Sequence, residues 1–157
     1  MLSRKDAIQY AIQNEIKSQN LYKKMAKAFR QSDSGETFKN LVPLEKIHEE
    51  KLRKLFHKEY PYSKLQVDST MLPHLDSNNK IDEPRAAILF AQQREDTAKE
   101  GYLELANSSK DPKVKELFNH LAKEEADHHA LLQNMLDKME GTMMWFDESE
   151  LDGLMEY

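Results

Sequence analysis

The chain has 157 residues, enough for one domain with a sizeable core, and its 32% charged and 39% hydrophobic residues with only 4 Gly and 5 Pro favour long amphipathic helices over a sheet. Lys plus Arg is 23 against 28 for Asp plus Glu, a net charge of −5 with no basic stripe or RNA-type aromatic motif, so nucleic acid is not an expected partner. Cysteine is absent, which excludes disulfides, zinc ribbons, thiolate-bound clusters and cysteine nucleophiles.

The opening stretch MLSRKDAIQYAIQNEIKSQ is basic but interrupted by charge every few residues. It lacks the apolar core of a signal peptide, and no later stretch is apolar enough to span a membrane. A cytoplasmic chain with no membrane partner is the expectation.

A first helix is expected from just after Ser3, with Asp6 completing its cap, to about Phe29. Its stripe reads Ile8, Ala11, Glu15, Ser18, Tyr22, Met25 and Phe29, at steps of three and four. QSDSGE is a turn. A second helix follows from about Ser34 to Tyr60, stopped by Pro61, along Phe38, Leu41, Glu45, His48, Leu52 and Leu55. Pro43 inside it removes a backbone donor two residues before Glu45 and should kink the helix. Residues 61–82 show no sustained period and contain turn formers, which makes them the one long connection.

The third helix begins near Asp82 with Pro84 in its first turn, along Ile88, Ala91, Glu95, Ala98, Tyr102 and Leu105. SSKDP is a short turn, with Asp111 as cap and Pro112 as first helical residue. The fourth helix is expected to end near Glu140, before Gly141, along Phe118, Leu121, Glu125, His128, Leu132 and Met135. The tail TMMWFDESELDGLMEY is a candidate short helix capped by Asp147, with Trp145, Phe146 and Leu151 to dock. Short, long and short connections describe a four-helix bundle over residues 1–140 with one long crossover, followed by a 141–157 extension.

The two halves repeat. Glu15 and Glu95, Tyr22 and Tyr102, Phe38 and Phe118, Leu41 and Leu121, Glu45 and Glu125, and His48 and His128 all differ by 80 in number. A two-helix unit used twice places equivalent residues around a pseudo-twofold axis.

The polar members of these stripes carry the chemistry. Each half supplies a lone Glu from its first helix and Glu-x-x-His from its second, and residues three apart are neighbours on a helix face. Four carboxylates and two imidazoles then converge on the middle of the bundle. Four bare carboxylates in a low-dielectric core would repel one another and protonate, whereas two divalent cations would cancel their charges. A lone buried Glu or His is more often a satisfied core residue, and one Glu-x-x-His is weak. Two copies with matching Glu and Tyr offsets point to a dimetal site. Carboxylate with imidazole and no thiolate suits iron or manganese, with zinc as an alternative occupant. Two metals roughly 3.5–4 Å apart can share a bridging oxygen species. Tyr22 and Tyr102, two turns beyond Glu15 and Glu95, are placed to donate to a ligand carboxylate of the opposite half. His57, His74, His120 and His129 fall outside this geometry and are expected at the surface. Asp96, Glu100, Glu124 and Asp127 are expected on a solvated face.

These motifs resemble those of ferritin-like di-iron proteins, and within them the rubrerythrins. The resemblance covers roughly residues 5–140. It rests on NEIKSQNLY and REDTAKEGY, and on NLVPLEKIHEEKL and HLAKEEADHHALL. It implies an all-α, ferritin-like bundle in which Glu15, Glu45, His48, Glu95, Glu125 and His128 bind two iron ions. It also implies redox chemistry with hydrogen peroxide or dioxygen. Rubrerythrins proper append a Cys-rich rubredoxin module, so a Cys-free chain implies an external electron donor protein such as rubredoxin. They also carry a further carboxylate on the third helix, where this chain has Ala98. Bacterioferritins bind haem through a Met beside the Glu of Glu-x-x-His. Lys46 and Ala126 stand there, so haem is not expected.

Two other readings remain at this point, a ferroxidase or iron-storage protein and a metal-binding bundle without turnover. The 61–82 connection and the apolar tail offer further surface, for which a homodimer or larger assembly is expected, with helix exchange permitted by the long crossover.

Overall fold

Ser3 starts the first helix by accepting a hydrogen bond from Asp6 N at 3.1 Å, which satisfies one of the unpaired donors at a helix N-terminus. The computed structural model describes residues 2–75 and 82–155, and beyond Gly141 the backbone alone. Four helices follow in order: α1 (Arg4–Ala28), α2 (Asp33–Glu59), α3 (Pro84–Asn107) and α4 (Pro112–Met155). Asp111 Oδ1 caps α4 by accepting from Lys113 N at 2.9 Å, and Pro84 opens α3. The result is an all-α, ferritin-like bundle, with no strand among the described residues.

One boundary differs from expectation. α4 runs through Gly141 to Met155 instead of stopping near Glu140. Glycine ends a helix by turning left-handed, and no glycine among the described residues has a positive φ. Gly141 therefore only weakens the helix, and Asp147 lies inside it rather than capping a separate one. Docking of the Trp145, Phe146 and Leu151 side chains lies outside the described residues. α2 likewise continues through Pro43.

α1 packs extensively on α2 and α3 on α4, while α2 meets α4 and α1 meets α3 along thinner seams. Arg4 ties one end of the bundle together. Its guanidinium donates to both Glu59 carboxylate oxygens at 3.0 Å and to Ser109 Oγ at 3.1 Å. The start of α1, the end of α2 and the α3–α4 turn thus share one anchor. The described part of the long connection lies along α1. Gln9, Gln13 and Asn20, on one polar stripe, bond the backbone of Gln66, Asp68, Ser69 and Met71. Leu65 and Val67 of the same segment pack on the core. No described helix is long and apolar enough to cross a membrane.

The α1–α2 turn depends on a missing side chain. A Cβ on Gly35 would stand 2.2 Å from Phe29 O and 2.6 Å from Phe29 C, both backbone atoms that cannot swing away. Gly101 has nothing within 4 Å of such an atom. Gly35→Ala is therefore expected to destabilise the fold by about 1–3 kcal/mol, while Gly101→Ala should be neutral or stabilising by up to about 1 kcal/mol. Thermal melting of the two variants side by side checks the contrast, and equal melting points would count against the close approach.

The core is two apolar layers with a polar slab between them. One layer gathers Ile8, Ile12, Leu52, Phe56, Tyr102, Phe118 and Leu121. The other gathers Leu21, Tyr22, Met25, Phe38, Leu41, Ile88 and Leu132. The repeat is visible in the aromatic packing, since each tyrosine stacks on its own half's phenylalanine. Tyr22 and Phe38 centroids are 5.8 Å apart, and those of Tyr102 and Phe118 are 6.3 Å apart. The slab between the layers holds the Glu and His residues of the stripes.

Candidate metal centre

Each helix contributes to the slab: Glu15 from α1, Glu45 and His48 from α2 and Glu95 from α3 near their midpoints, and Glu125 and His128 from the first half of α4. None of the six is more than 3% exposed. Both imidazoles turn Nδ1 inward, and each reaches across to the opposite half. His48 Nδ1 lies 2.7 Å from Glu125 Oε1 and 3.6 Å from Glu15 Oε1. His128 Nδ1 lies 2.6 Å from Glu45 Oε1 and 3.5 Å from Glu95 Oε2. The two rings stack with centroids 5.4 Å apart.

These atoms form two overlapping groups, each with its donors within 4.8 Å of one another. Glu15, Glu45, His48 and Glu125 make one, and Glu45, Glu95, Glu125 and His128 make the other. Glu45 and Glu125 belong to both, while Glu15 and Glu95 each belong to one. A Glu-x-x-His unit places its Glu between the groups because the two Glu-x-x-His helices, α2 and α4, face each other across the pseudo-twofold.

The tyrosines link the halves. Tyr22 of α1 donates to Glu95 Oε1 of α3 at 2.5 Å, and Tyr102 of α3 donates to Glu15 Oε1 of α1. Burial, and then the facing carboxylate, pushes both phenols well above their ordinary range, so both keep the proton they donate.

The carboxylates themselves are in conflict. Burial first, and then Glu15 and Glu95, push the Glu45 and Glu125 carboxyls well above the usual range. Burial acts the same way on Glu95, but the Glu125 carboxyl and the His128 imidazole close by, together with the Tyr22 hydroxyl bonded to it, outweigh burial and bring that group to about 2. Glu45 and Glu125 thus favour holding a proton where Glu95 does not. Glu49, one turn along α2, shows how this chain treats a buried carboxylate that needs no ion. It is also buried, yet Gln19 Nε2 at 2.8 Å, Arg53 Nε at 2.6 Å and Lys46 Nζ at 3.4 Å satisfy it. In the slab, by contrast, Glu15 Oε2, Glu45 Oε1, Glu95 Oε2, Glu125 Oε1 and the Nδ1 atoms of both histidines make no aligned hydrogen bond, although the two Nδ1 atoms lie close to Glu125 and Glu45. Six orphaned donors of cation-ligand type, converging from four helices, fit two bound metal ions.

Comparison with known proteins agrees. The family model described as Rubrerythrin matches residues 6–85 and again 86–152. The chain belongs to the rubrerythrin family. The two matches meet in the first turn of α3, so each covers essentially one helix pair of this chain. Among solved structures, this rubrerythrin-family chain is similar to a hypothetical protein from Pyrococcus furiosus, at 26% identity and a TM-score of 0.75 over 87% of this chain and 89% of that one. It also shares its fold with an uncharacterized conserved protein from Magnetospirillum magnetotacticum MS-1, at 23% identity and a TM-score of 0.67 over 84% and 92%. No curated protein matches.

The surroundings of the candidate centre depart from expectation at Glu124. Rather than lying on a solvated face, it is half-buried, and its Oε2 lies 2.8 Å from His48 Nε2. Its other oxygen pairs with His120, which is exposed, and faces Lys51 Nζ at 3.9 Å. Glu124 is next to Glu125, about 100° round the helix, and that edge of α4 faces α2 instead of solvent. His129 is half-buried rather than a free surface residue, with Nδ1 2.8 Å from Asp96 Oδ1. His57 and His74 are exposed, as are Asp96, Glu100 and Asp127.

The thin seam between α1 and α3 leaves an open groove of about 1190 Å³ that reaches Glu15, Glu45 and Glu125. Ala98 lines it, so the place where rubrerythrins proper carry a further carboxylate is open space here. Arg94 crosses the same groove, donating to Ser18 Oγ at 3.0 Å.

Proposed function

We propose that this protein is a non-haem di-iron oxidoreductase that reduces hydrogen peroxide with electrons from an external donor protein. The observation that carries the reading is the set of six buried, unpartnered donor atoms arranged as two groups sharing Glu45 and Glu125. In this reading Glu15, Glu45, His48, Glu95, Glu125 and His128 would hold two iron ions, Glu45 and Glu125 being common to both donor groups. A ferrous pair held there would supply the two electrons that convert hydrogen peroxide and two protons into two waters, and a donor such as rubredoxin would restore them.

The chain's own residues set the conditions for that step. Tyr22 and Tyr102 hold Glu95 and Glu15 in place from the opposite helix. The apolar layers above and below exclude bulk water. The α1–α3 groove supplies an approach for a small oxidant from one side.

Ala98 favours a second reading. A site without the extra carboxylate has lost a ligand of the peroxide-reducing relatives, which moves it towards dioxygen consumption and ferrous-ion oxidation of the ferritin kind. Rapid mixing of the anaerobic, ferrous-loaded protein with equimolar hydrogen peroxide or with dissolved dioxygen separates them. Faster oxidation by peroxide is expected. Oxidation by dioxygen at least as fast would assign an oxidase or ferroxidase, and no oxidation by either would leave a metal-binding bundle without turnover.

A further inference from the structure

The repeat makes the two halves of the centre equivalent in their donors, but not in what stands behind them. His48 has Glu124 at its outer nitrogen, 2.8 Å from Nε2, with His120 and Lys51 on the far side of that carboxylate. Shifted by the repeat offset of 80, those three places are Leu44, Asn40 and Leu131. None of these can do the same work at His128, and no side chain among the described residues hydrogen-bonds His128 Nε2.

We propose that the two metal positions are unequal, and that Glu124 is a positioning residue that makes the His48 position the first to fill. This rests on the reading of the slab as a two-cation site. The physical reasons are separate and add. With its outer N–H donated to Glu124, the His48 ring is held with the Nδ1 lone pair facing Glu15, Glu45 and Glu125. A ligand already oriented gives up little rotational freedom when the ion arrives. A carboxylate on the far nitrogen also makes the near nitrogen a stronger donor, and removing such a partner typically lowers metal affinity about 10–100-fold. His128 has no such brace and must be fixed by the ion itself. Glu124 can also be drawn as a ligand in its own right, since His48, Glu124 and His128 donors fall within 4.8 Å. That arrangement would require His48 Nε2 to abandon its present bond and turn to the ion.

Titration of the metal-free protein with Co²⁺, which takes the same nitrogen and oxygen donors and reports its ligands in visible spectra, tests the proposal together with calorimetry. Two steps per chain are expected, separated by about 10–100-fold in affinity. Glu124→Leu copies the Leu44 of the other half. It should weaken the tighter step towards the looser one while the stoichiometry stays at two. Glu124→Gln keeps an acceptor at the same place and should restore most of the difference. His48→Ala should abolish the tighter step and His128→Ala the looser one. Glu124 is half-buried at the bundle surface, so its variants should keep the fold, and far-ultraviolet circular dichroism of the metal-free forms checks this. An unchanged pair of steps in Glu124→Leu, or a native protein that fills both positions in one step, would overturn the inequality. A fall to one ion in Glu124→Leu would make Glu124 a ligand and overturn its positioning role. Failure of the native protein to take up Co²⁺ at all would overturn the two-cation reading itself, a result distinct from the others.

Discussion

Glu45→Gln is expected to lose metal and, in the same protein, to stabilise the metal-free fold. Glu45 belongs to both donor groups, and a neutral amide in its place removes both a strong ligand and one of the four charges that hold the cations. Bound metal should fall from the proposed two ions per chain to one or none. Glu95→Gln touches one group only and should retain one ion. The stability effect has the opposite sign because it concerns the protein without metal. There the Glu45 carboxyl is pushed well up by burial and by Glu15 and Glu95, so the ionised form strains the core at neutral pH. The chelated variant should therefore melt above the chelated native protein at pH 8, and at this chain length each kcal/mol gained is worth roughly 2–4 °C in Tm. Elemental analysis and paired melting curves with and without chelator check both halves of the expectation. Two ions per chain in Glu45→Gln would remove Glu45 from the site.

Metal removal should destabilise the protein most at high pH. Glu45 and Glu125 have raised pKa values in the metal-free fold, while in the unfolded chain they titrate near 4.5. Between that value and the raised ones the folded state binds more protons than the unfolded state, so stability falls as pH rises through the window. Below about pH 4.5 both states are protonated, and the contribution of these two groups levels off. With metal bound the carboxylates are held ionised by the cations, and ligand binding to the folded state adds stability by mass action. The Tm difference between metal-loaded and metal-free protein should thus be large at pH 8 and shrink on descent towards pH 5. Melting curves across that range give the test. A difference that grows as pH falls would show that the four glutamates are not crowded in a closed core.

Much of this protein is written along single helices. The caps at Ser3 and Asp111, the proline that opens α3, the 80-residue repeat and the Glu and Glu-x-x-His spacing are all local or periodic features. A helix repeats every 3.6 residues, so periodicity alone brings Glu15, Glu45, His48, Glu95, Glu125 and His128 onto inward stripes. The cross-half tyrosine bonds follow from the same offsets. What periodicity leaves open is how far each helix is rolled about its own axis. α1 buries Ile12, Ile16, Gln19 and Leu21 beside the expected stripe, because its inward face is set by contact with α2 and is wider than one row. Residues at the edge of a stripe are decided by that roll. Glu124, one residue and about 100° from Glu125, lies at such an edge, and only the packing of α4 on α2 turns it to His48 instead of water. Glu49 is buried for the same reason and is tolerated because Gln19 arrives from α1, thirty residues away, while Arg53 reaches it from one turn along α2. The path of the long connection along Gln9, Gln13 and Asn20 was not readable from an aperiodic segment, since its partners lie on another helix. The sequence by itself determined four helices, their repeat and six donors on inward faces. Only the tertiary structure decided which edge residues join them, because that choice depends on helix roll and on partners distant in the chain.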